Sequence, residues 1–406
     1  MHASVKAWYS HIDMFTRQNK VIDNEVFNMR LSMTCVVILI ICLGITNSVC
    51  EDRIKTSTPP NTQLTSKQQL GKKLFFDTNL SEPTGQACAG CHAPETGFAN
   101  PEGILPVSRG AHNDRFGNRN DLPAAYASFS PKFHYDQEEE LYEGGQFWDG
   151  RANDLAEQAK SPFLNAMEMA NPNEAAVVEK VRKSDYVDLF KKVFGPSAFE
   201  DVNDTYDMIA QAIAEYERSS EVNQFSSKYD FYLAGKARLT DQEMRGLKLF
   251  EDEEKGNCAA CHPSKPDDEG SQALFTDFTY DNLGVPKNPE NPFYYLPKEF
   301  NPDGVKFVDL GLGGVIDKRS EDGKFKVPSL RNVAITGPYL HNGFFKNLRQ
   351  VVVFYNMRDV GPWPTPEVPA NVNRDELGNL GLTEQEVDDI VAFLSTLTDG
   401  FDPGKQ

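Results

Sequence analysis

Four cysteines and two histidines in this 406-residue chain are spaced for one kind of chemistry. Cys88-Ala89-Gly90-Cys91-His92 and Cys258-Ala259-Ala260-Cys261-His262 are two copies of the pattern Cys-x-x-Cys-His. Thiols three positions apart share one helical turn and can reach the two vinyl groups of a single porphyrin. The adjacent histidine then points at the iron as an axial ligand. A zinc site built from two Cys-x-x-Cys pairs usually spaces them by about 15–20 residues, whereas these begin 170 apart. A thioredoxin-like motif would leave the repeated histidine unexplained. The expectation is two covalently bound haem c groups, with His92 on haem iron 1 and His262 on haem iron 2.

The remaining cysteines, Cys35, Cys42 and Cys50, all fall in the first 50 residues. Beyond them no structural disulfide can form without breaking a motif pair. The apolar run Met33–Thr46 is short for a membrane span but suits the core of a signal peptide, with Arg30 as its positive flank and Met29 as a natural start. Residues 1–50 therefore read as a leader, and 51–63, with Pro59-Pro60, as a linker. Export to the periplasm follows; Val49-Cys50 gives only weak support for a lipid anchor. The formal charge of −19 argues against nucleic acid as a partner and suits a basic redox protein.

The elements that must position the two motifs show a repeat. Leu64–Asp77 matches Leu239–Asp252 at an offset of 175, with Leu, Thr, Gly, Lys, Leu, Phe and Asp recurring, and a cysteine pair follows each copy. Both copies open on a helix-capping box, Thr65…Gln68 and Thr240…Glu243, and Thr383…Glu386 opens a third helix with Val387, Ile390, Val391 and Leu394 on one face. Further helices are expected over 174–194 and 206–219, and loops over 264–326 and 360–381, which are rich in Gly, Pro and Asp. The fold class expected is all-α with long loops, as two tandem cytochrome c-like domains, 64–235 and 236–406, each with one c-type haem.

Several ordered motifs give the chain its resemblance to the dihaem cytochrome c peroxidase and MauG superfamily, over about residues 64–400. They include Arg119-Asn120, Phe147-Trp148-Asp149-Gly150-Arg151, Leu155-x-x-Gln158, Met167-Glu168-Met169, Val327–Asn332 and Thr336–Gly343. The resemblance implies a first, peroxide-reactive haem and a second that feeds it electrons. It makes Glu168 and Gln158 the catalytic pair. Splitting peroxide needs a base to move a proton between its oxygens and a polar group to hold the leaving hydroxide. It also makes Trp148 the relay between the haems, and Asn120, Thr336 and Pro338 the ligands of an inter-haem calcium ion.

By the same resemblance the second iron's far ligand falls on Tyr355, where ordinary peroxidases have methionine and the MauG branch has tyrosine. Met357 is the rival, but two positions on a helix are about 200° apart, so both cannot face one iron. His112 matches the histidine that blocks the first iron in many resting peroxidases. His134 and His341 are expected to be structural. The leading function is reduction of hydrogen peroxide to water, with electrons from a small c-type cytochrome or cupredoxin. The alternative is a MauG-like oxidase of a partner protein's residues, and the third is a dihaem electron carrier. A homodimer is compatible with all three.

Overall fold

The computed structural model describes residues 63–266 and 271–405, which belong to one compact unit. The expected leader, the linker up to residue 62 and Cys35, Cys42 and Cys50 lie outside the described residues. The architecture is helical with few strands. In chain order the first helices are α1 (Ser66–Phe75), the single turn α2 (Cys88–Cys91), α3 (Leu155–Leu164), α4 (Glu174–Arg182), α5 (Val187–Phe194) and α6 (Val202–Glu217). The later ones are α7 (Lys228–Leu233), α8 (Asp241–Glu251), α9 (Leu312–Ile316), α10 (Leu348–Met357) and α11 (Glu384–Ser395).

All three expected capping boxes form: the Thr65, Thr240 and Thr383 side chains each accept the N3 amide, and the Gln68, Glu243 and Glu386 side chains return the bond. A fourth, Asn347 with Gln350, opens α10. The helix expected over 174–194 is two helices. α4 stops at Arg182, the Ser184 hydroxyl bonds back to the Val181 carbonyl at 2.7 Å, and the chain restarts at Val187. Serine competing for backbone groups in this way is a usual cause of a break. The helix expected from Tyr206 starts earlier, at Val202, because Asp201 accepts the amides of Asn203 and Asp204.

Two hydrophobic cores follow the repeat. In one, Leu70, Leu74 and Phe75 of α1 pack on Ile209, Ile213 and Tyr216 of α6. In the other, Leu247 and Phe250 of α8 pack on Val387, Ile390, Phe393 and Leu394 of α11. The recurring glycine explains why the helices cross alike. A Cβ on Gly71 would sit 1.8 Å from the Ala212 carbonyl oxygen, and one on Gly246 would sit 1.9 Å from that of Asp389. Only glycine allows either approach.

Strands are short. β1 (His134–Asp136) pairs antiparallel with β2 (Leu141–Glu143), setting His134 opposite Glu143, and β3 (Tyr280–Asp281) pairs with β4 (Phe325–Lys326). The described residues of the stretches 264–326 and 360–381 are mostly irregular as expected, apart from α9, β3, β4 and isolated 3₁₀ turns. Among the described residues no helix is long and apolar enough to cross a membrane.

Candidate active site

Each Cys-x-x-Cys-His motif lies on the wall of its own cavity. Cys88, Cys91 and His92 line the first and Cys258, Cys261 and His262 the second. The first motif is the helical turn α2, and the second begins as a 3₁₀ turn, Cys258–Ala260. Both fold the histidine back alike: the His92 amide donates to the Cys88 carbonyl at 2.8 Å and the His262 amide to that of Cys258 at 2.9 Å. Each ring then meets a backbone carbonyl through Nδ1, His92 with Phe98 at 3.1 Å and His262 with Phe275 at 2.7 Å. A carbonyl only accepts, so Nδ1 carries the proton and Nε2 keeps a free lone pair. Both phenylalanines have positive φ, 61° and 55°, which turns their carbonyls inward. Burial lowers both imidazole pKa values, that of His262 to about 4, so both rings are neutral, the form that binds a metal.

The four thiols are free, and burial pushes Cys88, Cys258 and Cys261 up to about 12 and Cys91 well above its ordinary value. Zinc wants thiolates converging on one point. Among the described residues the cluster of three or more metal-ligand side chains is instead His134, Asp136 and Glu143, on the β1–β2 ribbon.

The first cavity also gathers Trp148, Gln158 and Glu168. Gln158 lies on α3, and the turn after that helix brings Glu168 back: the Glu168 amide bonds the Asn165 carbonyl and the Met169 amide that of Pro162, at 3.0 and 3.1 Å. Asn165 Nδ2 donates to Glu168 Oε1 at 2.7 Å. Burial first, then the neighbouring Asp121, raises Glu168 to about 7, against the opposing pull of Arg151 and Asn165. Two further acids line this cavity, Glu217 buried and Asp121 half-buried. Asp121, which accepts the Ser108 hydroxyl, is raised to about 7 by burial, and Glu217 is raised to about 8. Neither was singled out from sequence, where each reads as an ordinary polar residue.

Trp148 lines both cavities, is 9% exposed, and donates its indole N–H to the Asn120 carbonyl at 2.8 Å. Asn120, Thr336 and Pro338 all line the second cavity. Asn120 Nδ2 reaches the Pro338 carbonyl at 3.1 Å, so two of the expected calcium ligands meet, with the amide nitrogen facing inward. To ligate a cation the amide would have to turn its oxygen in; the two orientations differ only in which end faces the carbonyl.

In the second cavity Tyr355 on α10 is part of the wall and Met357 is not. Met357 instead lies against Gly361, its Cε 2.8 Å from where a Cβ on Gly361 would stand. Burial, then Cys261 and Cys258, pushes the Tyr355 phenol up. His112 is half-buried in the loop before Asn120 and lines neither cavity. His134 is exposed on the ribbon.

The residues fit a large planar group with polar arms in each cavity. Aliphatic side chains such as Leu348, Val351, Val352, Ile390 and Leu394 wall the second, yet His341 Nε2 and Glu367 Oε2 in the same wall are buried 3.9 Å apart, too far for a hydrogen bond to each other and with no other partner. Glu217 Oε2 is left the same way in the first. Buried polar atoms are rarely orphaned unless something absent from the chain itself meets them.

Known proteins agree with this arrangement. A family described as di-haem cytochrome c peroxidase matches residues 65–238. Over 350 residues the chain is 40% identical to the methylamine utilization protein MauG of Paracoccus denitrificans, covering 81% of this chain and 88% of that one. It is 33% identical over 335 residues to cytochrome c551 peroxidase of Pseudomonas aeruginosa, covering 82% and 78%. The solved structure of the diheme peroxidase BthA from Burkholderia thailandensis matches with a TM-score of 0.74 at 36% identity, covering 83% of this chain and 87% of that one. The chain thus belongs to the dihaem cytochrome c peroxidase/MauG family of haem-dependent, peroxide-using oxidoreductases.

Proposed function

We propose that this chain is an exported dihaem peroxidase that reduces hydrogen peroxide to two waters, using two electrons from a small c-type cytochrome or cupredoxin and two protons. The observation that carries this reading is the placement of Glu168 and Gln158 in the cavity of His92, with Trp148 in the walls of both cavities. Cys88 and Cys91 would hold one haem and Cys258 and Cys261 the other, each in its own cytochrome c-like domain, with His92 and His262 as ligands through Nε2. The haem irons supply peroxide binding and electron storage. Glu168 would take the proton from the inner peroxide oxygen and return it to the outer one, which departs as water, and the Gln158 amide would hold that outer oxygen as the bond breaks. Trp148 passes electrons between the two sites. A calcium ion held by Asn120, Thr336 and Pro338 would tie the halves together, and His112 would reach the first iron only if its loop moves.

A second reading has a specific observation behind it. Tyr355 stands in the second cavity wall where Met357 does not, which favours a MauG-like oxidase that draws its electrons from residues of a partner protein. The test is steady-state consumption of peroxide by the purified protein, with reduced cytochrome c or a reduced cupredoxin as donor. Turnover that Glu168→Gln abolishes supports the peroxidase. Spectral change with peroxide but no turnover with any small donor would overturn it in favour of the oxidase, and no spectral change would leave an electron carrier.

A further inference from the structure

Lys326 is a buried cation that the reactions above do not use. It lies on β4, is 6% exposed, and lines both cavities. Its backbone amide donates to the Trp148 carbonyl at 2.8 Å, so it is fixed to the residue between the two sites. Its Nζ donates to the Gly145 carbonyl at 2.5 Å. An ammonium has three N–H donors, and one neutral carbonyl is poor compensation for removing a charge from water. Asp149 is the carboxylate whose charge acts on it. That carboxylate is already held by Arg119 at 2.5 Å and by Arg151 at 2.8 Å. Burial accordingly drives the Lys326 pKa down to about 7.

The charges around the cavities sharpen the point. Among the described residues Lys326 is the one lysine or arginine in the second cavity's wall, which also holds five acids, Asp121, Asp281, Asp309, Glu367 and Glu376, with Asp309 already paired to Arg119. In the first cavity's wall Arg119, Arg151 and Arg331 are already paired with acids, and Arg109 lies over the Phe116 ring. A haem carries two carboxylate arms, and each cavity that receives one must accommodate that negative charge.

We propose that Lys326 is a charge shared by the two haem sites: its ammonium pairs with a porphyrin carboxylate and raises the reduction potential of both irons. This rests on the dihaem reading above. A positive charge in a poorly hydrated interior favours the reduced iron, which carries one positive charge fewer, and the effect weakens only slowly with distance at low dielectric. Because Lys326 is bonded to Trp148, one side chain sets the level of both ends of the electron path.

The experiment begins with haem content of the wild-type protein; fewer than two haems per chain defeats the dihaem reading itself, whatever Lys326 does. In the dihaem protein, potentiometric titration followed by the spectrum of each haem compares wild type, Lys326→Met and Lys326→Arg. The expected result is a downward shift of both midpoints in the methionine variant and wild-type midpoints in the arginine variant. A shift at only one haem, or at neither, overturns the proposal. Should the methionine variant fail to take up haem, a crystal structure of the loaded wild type decides. Nζ belongs at about 2.7–2.9 Å from a porphyrin carboxylate oxygen, and a carboxylate out of its reach in both cavities overturns the assignment.

Discussion

The indole N–H of Trp148 is held by the carbonyl of Asn120 at 2.8 Å, and the Asn120 side chain reaches on to Pro338 at 3.1 Å. The ring in both cavity walls is therefore placed by a residue that spans from the first half of the sequence to the second. The Asn120 amide adds a bond to the His341 carbonyl at 2.7 Å, which closes the same junction from the other side.

Trp148→Phe keeps an aromatic ring in the space but removes the N–H and the readily oxidised indole. Haem content should remain two per chain, and peroxide turnover should drop on the order of tenfold, a change of about 1.4 kcal/mol in the barrier. Rapid-mixing spectra with reduced protein should show slower electron transfer between the haems. Unchanged turnover would leave Trp148 as packing alone.

The helix crossings make a prediction about stability. Gly71→Ala and Gly246→Ala each place a methyl group within 2 Å of a helix backbone oxygen, which cannot swing aside as a side chain would. Each should cost about 1–3 kcal/mol or more through overpacking, read as a lower Tm of the haem-loaded protein. Equal losses in the two variants would show that the two crossings are equivalent; no loss in either would mean that the helices lie further apart.

Glu168 gives a pH dependence. Its pKa is raised to about 7, chiefly by burial, so the carboxylate that acts as base forms as pH rises through that value and is lost as pH falls below it. Turnover should decline on the acid side with a midpoint near 7. Glu168→Gln should lower turnover by about 10²-fold or more and abolish that acid limb, with haem content unchanged. A variant that keeps the limb would assign it to another group, with Asp121 next in line since it is also raised to about 7.

What the sequence made legible was chemistry and geometry confined to a few neighbouring residues. Cys-x-x-Cys-His carries its own spacing rule, and the three threonine capping boxes were readable because the partner side chains lie three residues on. The Phe98 and Phe275 carbonyls that set the histidine tautomers were not readable, since any residue type supplies a carbonyl and they stand 6 and 13 residues past their partners. α3 was missed as a helix because Pro162 interrupts its pattern. β1 and β2 are three residues each, too short to show alternation. The burial of Glu217 and Lys326 depends on segments distant in sequence, which the charge of a residue does not reveal.

Tyr355 decides between the two branches of the family, and the structure makes the test clean because Met357 points elsewhere. If the Tyr355 oxygen ligates the second iron, Tyr355→Phe empties that position or admits water, and the ferric spectrum should change at the second haem alone. Loss of an anionic donor should also raise that haem's midpoint potential, and Tyr355→Met should raise it further, since a thioether favours the reduced iron. Lys326→Met is expected to lower the same midpoint, so the two substitutions should oppose each other in a double variant. Met357→Leu conserves volume against Gly361, and should cost under about 1.5 kcal/mol with no spectral effect. The reverse pattern, a ligation change in Met357→Leu and none in Tyr355→Phe, would require α10 to rotate by nearly half a turn, about 160°, on haem binding. It would also remove the residue-level support for the oxidase reading.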